Sequence, residues 1–373
     1  MIKISPFWRG LFVFVGTIIG VGIFALPWVG FQAGFLSLIF YFLLLGALSI
    51  TIHLIFAQVC LETKSLHRLP GYARLYLGKR WAALAYLSIF VGLFGAQLAY
   101  LLVGGDFLFQ LLGPVFGGTS FLYVFIFFLV GSILIYKDIK SISLGEILIN
   151  LSFFLLLLFL TYKALPKISF ARFSAFRSQN IFLPYGVVLF SLWGSAIVPE
   201  IKEIVKGDRK LLRRIIVSGI IIAIFVYILF SFIIVGVMGK DTSREAFLGL
   251  DNYLGKNILK LGYLFGVITC FTSFLTLGLT LKKTLWYDLK FPHIISWSIA
   301  IFLPLIFYLS GLKNFIEIIG LSGAIAIGIE GIIDVSLYKK VLEEKHSYKI
   351  PKAFYLLSLF LVLGAVLKII NHF

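Results

Sequence analysis

Gly16-Thr-Ile-Ile-Gly-Val-Gly-Ile-Phe-Ala-Leu-Pro27 lies inside the first long apolar run of the chain. Three glycines fall within Gly16–Gly22, and a proline follows. In hydrocarbon an unpaired backbone N–H or C=O costs several kcal/mol, so a spanning helix is ordinarily unbroken. Glycine and proline are the residues that interrupt one. A break at this position exposes backbone groups that something else must satisfy, and a bound solute or ion is the usual partner.

The rest of the composition agrees with a membrane setting. Of 373 residues, 61% are hydrophobic and only 13% charged, against about 25% charged in soluble domains. Mean hydropathy is +1.06. The formal charge of +17 would suit nucleic acid, but the basic residues sit in short loops between apolar runs, so no nucleic-acid role is expected. Cys60 and Cys270 lie in or beside apolar segments without metal-ligand spacing and read as packing residues. The first apolar run is too long for a cleavable signal peptide and lacks a small-residue cleavage site.

A span needs about 20 apolar residues. Eleven runs qualify, at 7–29, 34–59, 81–103, 121–136, 142–165, 183–205, 215–238, 257–281, 292–310, 315–337 and 353–372. The expected fold is therefore an all-α polytopic membrane protein in one transmembrane domain. With the N-terminus cytoplasmic, 23 of the 33 Lys and Arg residues fall on the inner side. This bias predicts a multi-pass protein of the cell membrane with its N-terminus inside and C-terminus outside. Lys206-Gly-Asp-Arg-Lys-Leu-Leu-Arg-Arg214 is the strongest inner anchor.

Run 6 carries a second break at Trp193-Gly-Ser195, flanked by Pro184 and Pro199. Interrupted segments at matching places in two halves point to an inverted-repeat transporter. The halves would be 7–165 and 183–337, with 353–372 additional. An unwound span 1 offers free N–H groups to a carboxylate and free carbonyls to a cation or ammonium. An amino acid carries both charges on one carbon, and a second broken span holds the rest of it. Thr17 adds a hydroxyl at the break, and Gly20 leaves it open. The alternative is that Gly16, Gly20 and Gly22 serve only close helix packing. In span 3, polarity and position single out Gln97 and Tyr100, which could equally be satisfied packing groups.

The span 1 segment, with Ala33-Gly34-Phe35 after it, resembles the amino acid–polyamine–organocation superfamily. Within it the run is most similar to the aromatic and hydroxy amino acid permeases and the amino acid/auxin permeases. Thr272-Ser-Phe-Leu-Thr-Leu-Gly-Leu279, followed by Asp288, resembles span 8 of the former. Leu192-Trp-Gly-Ser-Ala-Ile-Val-Pro-Glu200 is similar to the span 6 pattern of the latter. The resemblance implies a leucine-transporter-type fold of five plus five inverted spans, with spans 1 and 6 unwound. It places Thr17, Ile18, Val21 and Gly22 of span 1 and Trp193, Gly194 and Ser195 of span 6 against substrate. It also implies a sodium site from the Gly16 and Ile19 carbonyls and the Thr269, Thr272 and Ser273 hydroxyls. Those hydroxyls could instead bond back to carbonyls of their own helix.

Some proton-coupled relatives place a lysine at that position in span 5. Here Lys163 lies only near the outer end of span 5. Glu146, Glu200, Glu317 and Glu330 lie in or near spans, where acids are relay candidates. Glu200 could cap its helix or pair with loop lysines. Glu330 and Asp334 share a face of span 10 and could pair with Lys339 or Lys340. His53 reads as a packing or interhelical hydrogen-bonding group. No metal cluster, Ser/His/Asp arrangement or phosphate loop is found, so neither an enzyme nor a cofactor is expected. The expected function is a symporter importing a small neutral amino acid, with room for an apolar or aromatic side chain, coupled to sodium or protons. An amino-acid-sensing receptor subunit on the same fold is the alternative, and a channel is third. The sequence carries no signal for oligomeric state.

Overall fold

The computed structural model describes residues 5–138, 143–346 and 353–370, with side chains described except at 143–151, 256–257, 346, 353–355 and 369. Lys3, Lys140, Lys349, Lys352, His372 and the side chains of Glu146 and His346 lie outside the described residues.

The helices in chain order are α1 Pro6–Ile18, α2 Gly22–Ala33, α3 Phe35–Glu62, α4 Leu69–Tyr76, α5 Lys79–Phe116, α6 Ser120–Tyr136, α7 Ser143–Ala164 and α8 Leu183–Leu192. They continue as α9 Val198–Ile204, α10 Arg209–Met238, α11 Asp251–Leu254, α12 Lys256–Lys283, α13 His293–Leu309, α14 Phe315–His346 and α15 Ala353–Ile370. Helix occupies all eleven apolar runs. By length and composition α3, α5, α10, α12 and α14 can each cross a membrane, and α1 with α2 forms one bent crossing. Helices α6 and α13 and the Leu356–Lys368 part of α15 are shorter apolar helices.

Several helices run past the expected limits. α5 continues to Phe116, beyond the expected end at 103, and α14 continues to His346, beyond 337. Their extra turns carry glycines, a proline or charged residues, so hydropathy is a poor guide to these helix ends. The short α4, between spans 2 and 3, was not expected at all. It starts with a proline in its first turn and buries Tyr72, a pattern too short to register as a span.

Exposed apolar side chains form faces rather than patches. Phe121, Phe125, Leu129 and Ile133 succeed one another at four-residue steps along α6. In water such a stripe is an association surface; against lipid it is the ordinary exterior. Inside, the helices approach through small residues. A Cβ on Gly186 of α8 would stand 1.9 Å from the Gly320 carbonyl oxygen of α14, and one on Gly323 would stand 2.1 Å from the Gly186 oxygen. The two backbones touch there, so neither glycine tolerates a side chain.

Gly186→Ala should therefore lower the apparent Tm of the detergent-solubilised protein, at a cost of about 1–3 kcal/mol or more for overpacking. Gly92→Ala is the control, because its Cβ would meet Ala326 only at an ordinary 3.4 Å. Equal melting of both variants and the parent would show that α8 and α14 are not in backbone contact.

Candidate functional site

Span 1 breaks later and over fewer residues than the glycine pattern implied. Gly16, Thr17 and Ile18 remain in α1, only Ile19–Val21 leave the helix, and Gly22 opens α2 at a bend of 56°. A short break suffices because neighbouring side chains satisfy the freed groups. Ile19 turns its N–H back onto Val15 O at 2.9 Å. The Val21 N–H donates to the Tyr100 hydroxyl of α5 at 3.2 Å. The Tyr227 hydroxyl of α10 donates toward Ile18 O at 2.7 Å and Ser191 O at 2.8 Å. The Gly20 N–H faces the Tyr227 hydroxyl oxygen, and among the described residues no acceptor bonds the Gly22 N–H. The Gly22 N–H, at the N-terminal end of α2, remains open to an anion.

The glycines of this segment are needed for contact. A Cβ on Gly20 would lie 2.2 Å from the Tyr100 hydroxyl, and one on Gly22 would lie 2.2 Å from Ser191 Oγ. Small-residue packing and an open break, separated as alternatives above, thus coexist.

Span 6 breaks where expected. α8 ends at Leu192, a short turn covers Ser195–Ile197, and α9 follows. The Gly194 N–H donates to His53 Nε2 at 2.9 Å, while His53 Nδ1 meets Ser49 O at 2.6 Å. Because Nε2 accepts, the ring hydrogen sits on Nδ1, which fixes the neutral tautomer. His53 is thus the interhelical group foreseen, and it caps the second break. The rings of Phe14 and Trp193 stand edge-on to the imidazole at 5.8 and 5.0 Å. Ser195 Oγ donates to Glu330 Oε1 of α14. Gly194 lies against α1, since a Cβ there would come 2.8 Å from Ile18 Cγ1.

On the side of the breaks away from the N-terminus, Phe24, Phe107, Phe230 and Phe247 make one aromatic cluster. Centroid separations run from 5.0 Å for Phe24–Phe107 to 6.4 Å for Phe24–Phe230. On the N-terminal side, Arg68 Nη1 donates to Thr284 Oγ1 at 2.9 Å and approaches Asp288 at 3.7 Å. Beside it lies a pocket of about 360 Å³ bounded by Tyr86, Pro199 and Glu200.

The structure brings together Ile18, Gly20, Val21, Gly22, Tyr100, Gly194 and Ser195, with Trp193 stacked behind them. It does not use two other candidates in the expected way. Thr17 is exposed and its hydroxyl donates to Val13 O of its own helix at 2.8 Å. Gln97 is fully buried; oriented to satisfy its neighbours, its amide donates to Phe274 O at 3.1 Å and accepts from the Gly278 N–H at 3.2 Å. It thereby occupies a rung of the α12 backbone ladder. Of the residues implied for sodium, Gly16 and Ile19 stand in the last turn and cap of α1. Ser273 neighbours Tyr100. Thr272 bonds back to Ile268 O and Thr269 O, both at 3.1 Å, and the Thr269 hydroxyl is buried with no partner among the described residues. Tyr227 was missed by sequence reasoning; a tyrosine in the middle of the Ile222–Ile234 apolar run was the available signal.

Two opposed broken helices around a common centre, inside an all-helical bundle, define a transporter of the leucine-transporter type. Solved structures share the fold. MhsT in complex with L-phenylalanine superposes with a TM-score of 0.68 at 15% identity, covering 97% of each chain. The nucleobase-cation-symport-1 family transporter Mhp1 gives 0.66 at 14% identity, covering 99% of this chain and 92% of that one. The chain belongs to the tryptophan/tyrosine permease family, whose model matches residues 3–371. It is also 27% identical to the tyrosine-specific transport system 1 of Haemophilus influenzae, over 94% of this chain and 93% of that protein.

Two substitutions test the geometry. Gly20→Ala should destabilise the protein by pushing on the Tyr100 hydroxyl, and Tyr100→Phe in the same chain should restore part of the lost Tm, because only the hydroxyl lies within 3 Å of the new methyl. Independent, additive effects would disprove the contact. Tyr227→Phe should cost about 1–3 kcal/mol for its orphaned carbonyls, and a melting curve identical to the parent's would count against the bridge.

Proposed function

We propose that the protein is a secondary active symporter that imports an aromatic amino acid of the tyrosine type by alternating access, driven by a sodium or proton gradient. The observation that carries this reading is the pairing of the open Gly22 N–H, in the break of span 1, with the carbonyls of Ile18 and Ser191 at one place. The N–H group suits a carboxylate. The carbonyls, gathered by a single tyrosine hydroxyl, suit an ammonium. Ile18, Val21 and Trp193 give the α-substituent an apolar wall. Family membership, the tyrosine-specific relative and the phenylalanine bound to MhsT support an aromatic side chain.

The Lys and Arg distribution supports a cytoplasmic N-terminus. The Phe24 cluster then guards the outer path, and the Arg68 contacts guard the inner one. Rocking α1, α2, α8 and α9 against the remaining helices would open these in turn.

Purified protein in proteoliposomes should accumulate L-tyrosine under an inward sodium or proton gradient, with L-tryptophan and L-phenylalanine competing and L-lysine not competing. Gly20→Leu should abolish the tyrosine-induced rise in Tm while the protein still inserts. Tyrosine binding without flux under either gradient would sink the transporter reading and leave the receptor alternative standing.

A further inference from the structure

Asp334 of α14 is the least explained polar group in the protein. Its side chain is wholly buried, and neither carboxyl oxygen has a hydrogen-bond partner among the described residues. One turn away on the same helix face stands Glu330, which accepts from Ser195 in the break of span 6. The pairing with Lys339 or Lys340 expected from sequence does not form. Because α14 continues to His346, Lys339 reaches Glu343 at 4.0 Å and Lys340 reaches Glu344 at 3.2 Å, one turn further on.

The polar and titratable groups around this stretch of α14 bring no paired cation to either acid. From α3 come His53, held neutral by Gly194 and Ser49, and the buried thiol of Cys60, which lies within electrostatic reach of Asp334. From α4 comes Tyr72, a buried hydroxyl beside the Cys60 thiol. From α9 come Glu200 and Lys202, and the ammonium of Lys202 is spent on the carbonyls of Cys60 and Thr63, both at 2.8 Å. α5 contributes the Ser88 hydroxyl, on Ala326 O at 2.6 Å. α8 contributes Tyr185, on Leu361 O at 3.3 Å, and α15 contributes Lys368, which lies beside Gly320. No described cation is in a salt bridge with either acid.

Two carboxylates one turn apart, buried and without a counter-cation, cannot both be ionised. We propose that Glu330 and Asp334 form a proton-binding site that couples tyrosine movement to the proton gradient. The inference rests on the transporter reading above. One proton enters from the outer side at the span 6 break, is shared by the two carboxyls, and leaves toward the Cys60–Tyr72 side, which faces the N-terminal surface. When Glu330 is ionised it accepts from Ser195 Oγ–H. When it is protonated its own O–H donates to Ser195 Oγ and frees the serine hydrogen. Protonation thereby reverses one hydrogen bond at the wall of the substrate site, which links proton and substrate.

The test uses the full chain in proteoliposomes with L-[3H]tyrosine, in two modes: accumulation under an inward proton gradient without sodium, and counterflow exchange with no gradient. The wild type should do both and should alkalinise the outer medium as tyrosine enters. Asp334→Asn and Glu330→Gln should lose accumulation at least tenfold, while exchange persists and loses its dependence on pH. Proton-driven accumulation by Asp334→Asn at the wild-type level would overturn the proposal. So would a wild type that accumulates tyrosine only under a sodium gradient, or whose flux moves no protons, and this last measurement stands even if a variant fails to fold. A wild type that neither binds nor exchanges tyrosine would instead refute the transporter reading itself.

Discussion

The structure depends on how two interrupted helices satisfy their freed backbone groups away from water. Each such group costs several kcal/mol if left alone in hydrocarbon. The partners come from side chains on other helices. Tyr227 of α10 serves the carbonyl ends of α1 and α8 with one hydroxyl. His53 of α3 serves the N–H at the second break, and Tyr100 of α5 serves the N–H at the first. α3, which follows the first broken span, caps the second break, and α10, which follows the second, caps the first. The two breaks are thereby tied together. A shift of α1 that withdrew the Ile18 carbonyl would also change what holds Ser191.

The break in span 1, its partner in span 6 and the eleven apolar runs were legible because each rests on local residue types. Glycine where a helix should continue is visible in one dimension. What was not legible depends on which side of a helix a residue faces after packing. Gln97 and Thr17 are polar residues near the right depth. Gln97 turns into the backbone of α12 and Thr17 bonds to its own helix, and sequence spacing does not distinguish these fates from facing a solute. Tyr227 is the converse, a polar residue inside an apolar run whose importance lies entirely in two carbonyls more than thirty positions away. The pairing of Lys339 and Lys340 was misjudged for a different reason. The end of the apolar run was read as the end of the helix, whereas α14 continues and offers them glutamates at helical spacing.

The two sides of the breaks, which the proposed function makes outer and inner gates, are held by different physics. The Phe24–Phe107–Phe230–Phe247 cluster excludes water by dispersion and area, is indifferent to salt, and joins α2, α5, α10 and the segment after it. The contacts of Arg68 with Thr284 and Asp288 are polar and partly exposed, so their strength falls with ionic strength and contributes little when wet. A seal of the first kind opens only if helices separate. A seal of the second kind opens when a few side chains find water instead, and the adjoining pocket shows where that water would stand.

A zwitterion crosses a membrane without net charge, so a gradient can drive it only through charge carried elsewhere in the same cycle. The walls of the two breaks are neutral: tyrosine hydroxyls, a histidine held in its neutral tautomer, backbone dipoles and apolar side chains. Under the proposed function, such walls would hold both ends of an amino acid without favouring uptake or release. In that reading directionality comes from a titratable or cation-binding group close enough to feel the breaks. Ser195 is the link from the wall to α14, where it donates to the buried carboxyl of Glu330, and Asp334 lies one turn further along the helix. The same burial that makes an unpaired carboxylate costly gives its protonation leverage, because a change of charge in a dry place alters local energies by far more than the same change at a surface.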